Sequence, residues 1–223
     1  MSFFQSLQNE TGTARATLLS APVIQRTLAG RIELPEYAAF LGQAYHHVKH
    51  TVPLLMATGA RLSERHGWLR SAVAEYIEEE IGHEEWILND IAACGFDAEA
   101  VRRSQPAVAT ELMVSYAYDT VQRVNPVGFF GMVHVLEGTS IALADRAAST
   151  IRDRLSLPKK AFSYLYSHGA LDIEHVKFFE GLMDRIENPG DQAQIVHSAN
   201  VFYRLYGDIF RSLDGAASPA LAA

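Results

Sequence analysis

Apolar residues in this chain recur mostly three and four positions apart, and no run alternates convincingly with a period of two. That spacing is the signature of amphipathic helices, and proline and glycine divide it into segments. A first helix is expected over Phe3 to Leu19. Pro22 opens a short second one that ends near Gly30. Pro35 opens a third, reading to Arg61, with a kink or break near Thr51 because Pro53 lies inside it. A fourth runs from Glu64 to Cys94 and stops at Gly95, a good residue to end a helix. Asp97 starts a short turn, and the helix after Pro106 ends before Asn125-Pro126. Pro126 opens a helix to Leu155, and Pro158 opens one to Glu187. Pro189-Gly190 reads as a turn before a last helix that ends near Leu213. The expected fold is all-α: a single-domain bundle of about seven to nine helices over residues 1–213. Residues 214–223 are small and proline-containing and read as a frayed tail.

Four places break the apolar stripes with groups that carry chemistry. In the helix after Pro158, His168, Asp172 and His175 fall at spacings of four and three, so they share one face. The same stripe carries Leu165, Phe179 and Leu182, which places it inward. Burying one unpaired neutral polar group costs roughly 2–7 kcal/mol, so these three need interior partners. A metal ion accepts both imidazole nitrogen and carboxylate oxygen. A hydrogen-bond network with Asp172 bridging two histidines satisfies them as well.

The second place is Tyr76-Ile-Glu78-Glu79-Glu80-Ile-Gly-His83-Glu84-Glu85-Trp86. His83 shares a packed stripe with Tyr76 and Ile87, and Glu79 or Glu80 stands one turn away. A Glu three or four residues from a His on one helix is the spacing of carboxylate-bridged iron sites in bundles. Glu78, Glu84 and Glu85 read as a solvated acidic face.

The third is Glu137, on a stripe with Phe130, Val133, Ile141 and Ala144. A carboxylate there is a ligand, is paired with a cation such as Arg123 or Arg146, or is protonated. His134, one turn away, can line the pocket or support a ligand from behind. The fourth is Tyr45-His46-His47-Val-Lys49-His50, where His46 and His50 share a face and His47 and His50 are also close. It reads equally as a metal half-site or as polar surface ahead of the kink. Tyr45, Tyr76, Phe129 and Phe130 are the expected pocket aromatics.

Composition narrows the function without choosing it. The chain has 223 residues, 48% of them hydrophobic, enough for one sizeable core. A net charge of −7 offers no footprint for nucleic acid or an anionic membrane. The single cysteine, Cys94, rules out an internal disulfide and suits a reducing cytosol. The first residues lack the pattern of a signal peptide, and no stretch of eighteen apolar residues predicts a membrane span. No nucleophile elbow, phosphate loop or dinucleotide fingerprint is present.

The motifs together resemble a known family. His168-x3-Asp172-x2-His175, Glu137 within Leu-Glu-Gly-Thr-Ser, and Glu-Glu-x-Gly-His83-x2-Trp running on to Ala-Cys-Gly95 are similar to the heme-oxygenase-like iron-containing redox enzymes, relatives of the TenA and PqqC proteins. The resemblance covers roughly Tyr37 to Asp184. It implies a helical bundle with a non-heme iron site of one or two ions, manganese being the alternative, that activates O2 on a small organic substrate of the amine, amino acid or fatty acid class. It also implies a homodimer. By position it implies His83, Glu137, His168, Asp172 and His175 as ligands. The oxidase branch usually carries a carboxylate where this chain has Tyr76, so Glu79, Glu80 or His50 is the expected substitute. Glu137, Tyr76 and His134 are then the candidates for a direct part in catalysis. A metal-free enzyme using the same groups as acids and bases is the competing expectation; a non-catalytic ligand-binding bundle is a third.

Overall fold

The computed structural model describes residues 1–214, apart from the side chains of residues 168–175. Among the described residues every regular element is helical. The helices are α1 (Phe3–Glu10), α2 (Gly12–Leu19), α3 (Pro22–Leu28), α4 (Leu34–Val48), α5 (Thr51–Arg61), α6 (Gly67–Glu80), α7 (His83–Ala93), α8 (Ala98–Arg103), α9 (Val108–Asp119), α10 (Phe129–Leu155), α11 (Ser163–Asp184) and α12 (Pro189–Ser212).

Proline and capping side chains explain most of the starts. Pro22, Pro35 and Pro189 occupy the first turns of α3, α4 and α12, where a missing N–H costs nothing. Glu33 and Glu36 cap α4 reciprocally, and the Glu33 N–H donates to Glu36 Oε2 at 3.0 Å. Asp97 Oδ1 accepts from the N–H groups of Glu99 and Ala100 and starts α8. Asn188 Oδ1 accepts from Asp191 N–H and starts α12, so Pro189-Gly190 opens that helix and is not a separate turn.

Three of the expected helices are interrupted. The one expected over Phe3 to Leu19 is broken at Thr11, whose hydroxyl donates to the Leu7 carbonyl at 2.7 Å. The one expected to Arg61 divides at Lys49-His50, just ahead of Pro53, because proline at that position disfavours continuous helix before it. The one expected from Glu64 to Cys94 is broken at Gly82, which sits in the left-handed region at φ 90°. Gly95, at φ 88°, ends α7 as expected. After α9 the chain makes a wide π-type turn over Thr120–Val124 and then straightens at Asn125, as a residue before proline prefers.

Helix α10 runs through the centre and packs on α11 and α12. Its first two turns, Phe129 to Val135, are buried on every side. By length and composition alone the stretch Pro126–Leu155 could cross a membrane, with a mean hydropathy of 1.5 over its most apolar window. More than half of that window, 56%, is covered by the rest of the bundle, and burial all round accounts for its apolar content. Ile141, expected on the inner stripe, is 43% exposed instead.

Glycine permits the closest approach in the bundle. A Cβ on Gly131 would lie 2.7 Å from the Ala199 nitrogen and 2.8 Å from the Ile195 carbonyl, both backbone atoms of α12. Gly131→Ala therefore forces α10 and α12 apart, at an expected cost of about 1–3 kcal/mol. Urea unfolding followed by circular dichroism measures it. An unchanged midpoint would show that the two helices separate freely.

At the C-terminal edge, Asp214 is held by Arg26 at 2.7 Å, so the first residue of the expected frayed tail is tied to the bundle. The remainder of that tail, 215–223, lies outside the described residues.

Candidate active site

The break at Gly82 is what builds the site. It ends α6 at Glu80 and restarts the chain with His83 as the first residue of α7. The two side chains then meet, with His83 Nδ1 3.1 Å from Glu80 Oε2. His83 is 3% exposed and lies against Trp86, ring centroids 4.0 Å apart. They open onto a cavity of about 800 Å3, mouth included. Its other walls are His47, Val48, Thr51 and Leu55 from α4 and α5, Tyr76 from α6, and Phe129, Met132, Val133, Leu136, Glu137 and Ser140 from α10. Tyr164 of α11 and Tyr206 of α12 complete it. No Lys or Arg is among the described lining residues.

Tyr76 faces Glu137 across this cavity. Burial pushes its hydroxyl well above the usual tyrosine range, and the charges of Glu137, Glu79 and Glu80 push the same way. Tyr76 is therefore a neutral proton donor beside a carboxylate. The alternative of an ion pair between Glu137 and Arg123 does not occur, since Arg123 binds Asp119 at 2.9 Å.

Helix α11 is seated on α7 by one buried carboxylate. Asp90, 0% exposed, accepts from the N–H groups of Ser163 and Tyr164 at 2.9 Å each and from the Ser163 hydroxyl. It thus caps the first turn of α11 and orients Tyr164 into the cavity. Burial raises the Asp90 carboxyl above its ordinary value, and the hydrogen bonds from Ser163 and Tyr164 oppose that rise. His168, Asp172 and His175 continue the same helix about one, two and three turns after Tyr164. Their side chains, which carry the strongest metal expectation, lie outside the described residues.

Other expected site residues fall elsewhere. Of the two candidate glutamates, Glu80 lines the cavity, whereas Glu79 is exposed and outside the lining. His50 Nδ1 is 3.1 Å from the Tyr118 hydroxyl, away from the lining, and its neighbour His47 enters instead. His47 packs edge-on against Tyr206 with centroids 5.8 Å apart. His134 is directed to the opposite side of α10. Its Nε2 is 3.3 Å from the Thr11 hydroxyl, among Phe4, Phe179 and Tyr203, so it ties α10 to the N-terminal helices. His46 contacts Ser104 at 2.9 Å and Lys49 at 3.2 Å. Tyr45 packs beside His46 and Lys49, and Phe130 is wholly in the core. Tyr164 and Tyr206 were not foreseen. They come from helices whose cavity-facing positions depend on how the bundle closes.

Burial holds both His46 and His134 neutral, each lowered to about 4. For His46 the charges of Lys49 and His50 add to the effect of burial, and for His134 that of Arg15 does. The unfolded chain binds these protons near the ordinary histidine value of about 6.5. Between the two values the unfolded state binds more protons, so stability falls as pH drops through that window. The urea midpoint is expected to decline from pH 7 to pH 5, and less steeply in His134→Gln than in the parent. Parallel slopes would contradict it.

Comparison with known proteins places the fold and the family. The structure is similar to a domain of unknown function with a heme oxygenase-like fold from Shewanella denitrificans, with a TM-score of 0.88 and 23% identity, covering 100% of this chain and 99% of that one. It is also similar to a TenA homolog from Pseudomonas syringae pv. tomato, with a TM-score of 0.79 and 14% identity over 96% and 93% of the two chains. A heme oxygenase from Leptospira interrogans gives a TM-score of 0.77 and 18% identity over 95% and 100%. These likenesses establish a heme oxygenase-like helical fold. The chain belongs to the iron-containing redox enzyme family, whose pattern it matches over residues 38–207. No curated protein matches it.

Proposed function

We propose that this protein is a non-heme iron-dependent oxidase or oxygenase acting with O2 on a small organic substrate. The observation that carries the reading is the placement of Glu137 and the Glu80–His83 pair on one largely apolar cavity, beside the start of α11, in a chain of the iron-containing redox enzyme family. Among the described residues, no three His, Cys, Asp or Glu side chains gather closely enough to hold an ion by themselves. The donor types nevertheless suit iron or manganese, since imidazole nitrogen and carboxylate oxygen are both present. His83, Glu137 and Glu80 would hold one or two ions together with His168, Asp172 and His175. Bound iron supplies O2 binding and electron transfer to the reaction.

The chain's own residues do the rest. Tyr76 keeps its proton and lines the same cavity as Glu137. Leu55, Phe129, Met132 and Leu136 exclude water from the reacting groups, which strengthens every polar contact inside. His47 and Tyr206 bound the remaining space for substrate.

The contact between His83 Nδ1 and Glu80 Oε2 also supports one second reading. In it the Glu80–His83 pair acts without metal as an acid–base couple, Glu80 orienting the imidazole that moves the proton. The two readings separate in one comparison. Glu80→Gln and Glu79→Gln are assayed for oxygen uptake by the ferrous-loaded protein with candidate substrates. The proposed reading expects Glu80→Gln to abolish uptake and Glu79→Gln to retain it. Equal uptake in both variants removes Glu80 from the site, and a reaction that proceeds fully in chelator-treated protein supports the acid–base reading.

A further inference from the structure

The proposed function takes up His47 from the end of α4 and leaves the basic groups around it unused. A second cavity of about 750 Å3, mouth included, shares Ser140, Tyr164 and Tyr206 with the first. His46, Lys49, His50 and Tyr118 line neither space. They form a cluster of their own at the break between α4 and α5, where α9 packs on α4. Lys49 Nζ donates to His46 Nδ1 at 3.2 Å and lies 5.1 Å from the centre of the Tyr45 ring. His46 accepts that bond with its proton on Nε2, which donates to the Ser104 hydroxyl at 2.9 Å. Ser104 in turn donates to the Val101 carbonyl at 2.9 Å. His46 is thus a neutral ring with both nitrogens in use. His50 Nδ1 stands 3.1 Å from the Tyr118 hydroxyl, and the two rings meet at an interplanar angle of 89°.

We infer that Lys49 and His50 bind a divalent oxyanion of the phosphate class at this break, with the Tyr118 hydroxyl holding the His50 imidazole in place. An ammonium has three donors, and His46 accepts one of them. The other two remain on a half-buried side chain that reaches solvent. When Tyr118 donates to His50 Nδ1, the His50 proton sits on Nε2, and a second donor stands beside the first. The local field is positive. Burial makes both His46 and His50 less basic than an ordinary histidine, and the Lys49 charge acts in the same direction on each. An anion relieves that crowding of positive charge. Helix α5 begins at Thr51, so the positive end of its dipole adds to the same field. Two negative charges gain about twice the attraction of one at equal distance, which favours phosphate over acetate or chloride. Neither the cluster nor its test involves iron, so the inference stands apart from the proposed function.

The test uses the purified, untagged, metal-free full chain at neutral pH. Histidine ring signals are followed by NMR while inorganic phosphate is added at constant ionic strength, and calorimetry gives the affinity. The His50 signal is assigned by its loss in His50→Gln. Phosphate is expected to move that signal saturably in the parent, and acetate and chloride to bind more weakly. Lys49→Met keeps the aliphatic stem and removes the charge. It is expected to weaken phosphate about tenfold, the loss of one charge-assisted hydrogen bond. His50→Gln is expected to weaken phosphate as well, and it decides the matter should the methionine variant fail to fold. Lys159→Met removes an exposed lysine elsewhere and is expected to bind as the parent does. A response that does not saturate, or that chloride matches at equal ionic strength, overturns the inference. So does undiminished binding in Lys49→Met or His50→Gln, or an equal loss in Lys159→Met. Acetate binding as tightly as phosphate overturns the assignment to a divalent oxyanion.

Discussion

Asp90→Ala is expected to cost about 3 kcal/mol of stability, since it removes a helix cap worth about 1 kcal/mol and leaves buried donors unsatisfied at about 1–3 kcal/mol. Two backbone donors lose their acceptor at once, the Ser163 and Tyr164 N–H groups, whereas the Ser163 hydroxyl keeps the Trp86 carbonyl within reach. The consequence extends beyond stability. Asp90 is the link between α7, which carries His83, and α11, which carries Tyr164 and then His168, Asp172 and His175. Freed of that cap, the first turn of α11 frays, and the two helices lose their common register at the cavity. Asp90→Asn retains one acceptor oxygen and is expected to fall between the parent and Asp90→Ala. Urea unfolding of the three proteins gives the order. A parent-like midpoint for Asp90→Ala would show that the buried carboxylate gains no more from its donors than it loses to desolvation.

Ferrous iron is expected to stabilise the folded protein, because an ion that binds the native state and not the unfolded chain shifts the equilibrium by mass action. At a hundredfold excess over its dissociation constant the gain is about 2.7 kcal/mol. Glu137→Ala and His83→Ala should lose most of that gain and change the metal-free melting point far less. His175→Ala should behave in the same way if its imidazole is a ligand. If it belongs to a hydrogen-bond network, it destabilises the metal-free protein too, by about 1–3 kcal/mol. Melting curves taken anaerobically with and without iron distinguish these outcomes. Equal losses in both conditions contradict the metal assignment.

How much of this could be read from the chain differs by element. Pro22, Pro35, Pro126 and Gly95 were legible because each acts through its own backbone, by a fixed φ or a tolerated left-handed one. The break at Gly82 was not, because a glycine inside a helical pattern is tolerated as often as it is used to turn. Yet that turn is what makes Glu80 the partner of His83 and leaves Glu79 outside. Helical spacing placed Glu137 on an inward face correctly, but it could not say which inward face. The same spacing sent His134 inward too, and α10 is buried all round there, so His134 meets Thr11 on the far side. Around the end of α4 the pattern brought His46, His47 and His50 close together, and the packing of the bundle puts His47 in the cavity wall. Tyr164 and Tyr206 left no local signal at all, since a tyrosine at a helical apolar position reads as core. Their role as the wall between two cavities belongs to tertiary packing.

The proposed oxidase requires this cavity to take up iron. Elemental analysis of the full chain after anaerobic ferrous loading and desalting tests it most directly, with Glu137→Ala loaded in parallel. One to two iron ions per chain are expected in the parent, in line with the mixed carboxylate and imidazole sites of helical bundles, and a marked loss in the variant. Iron absent from the parent, or retained equally by Glu137→Ala, would contradict it.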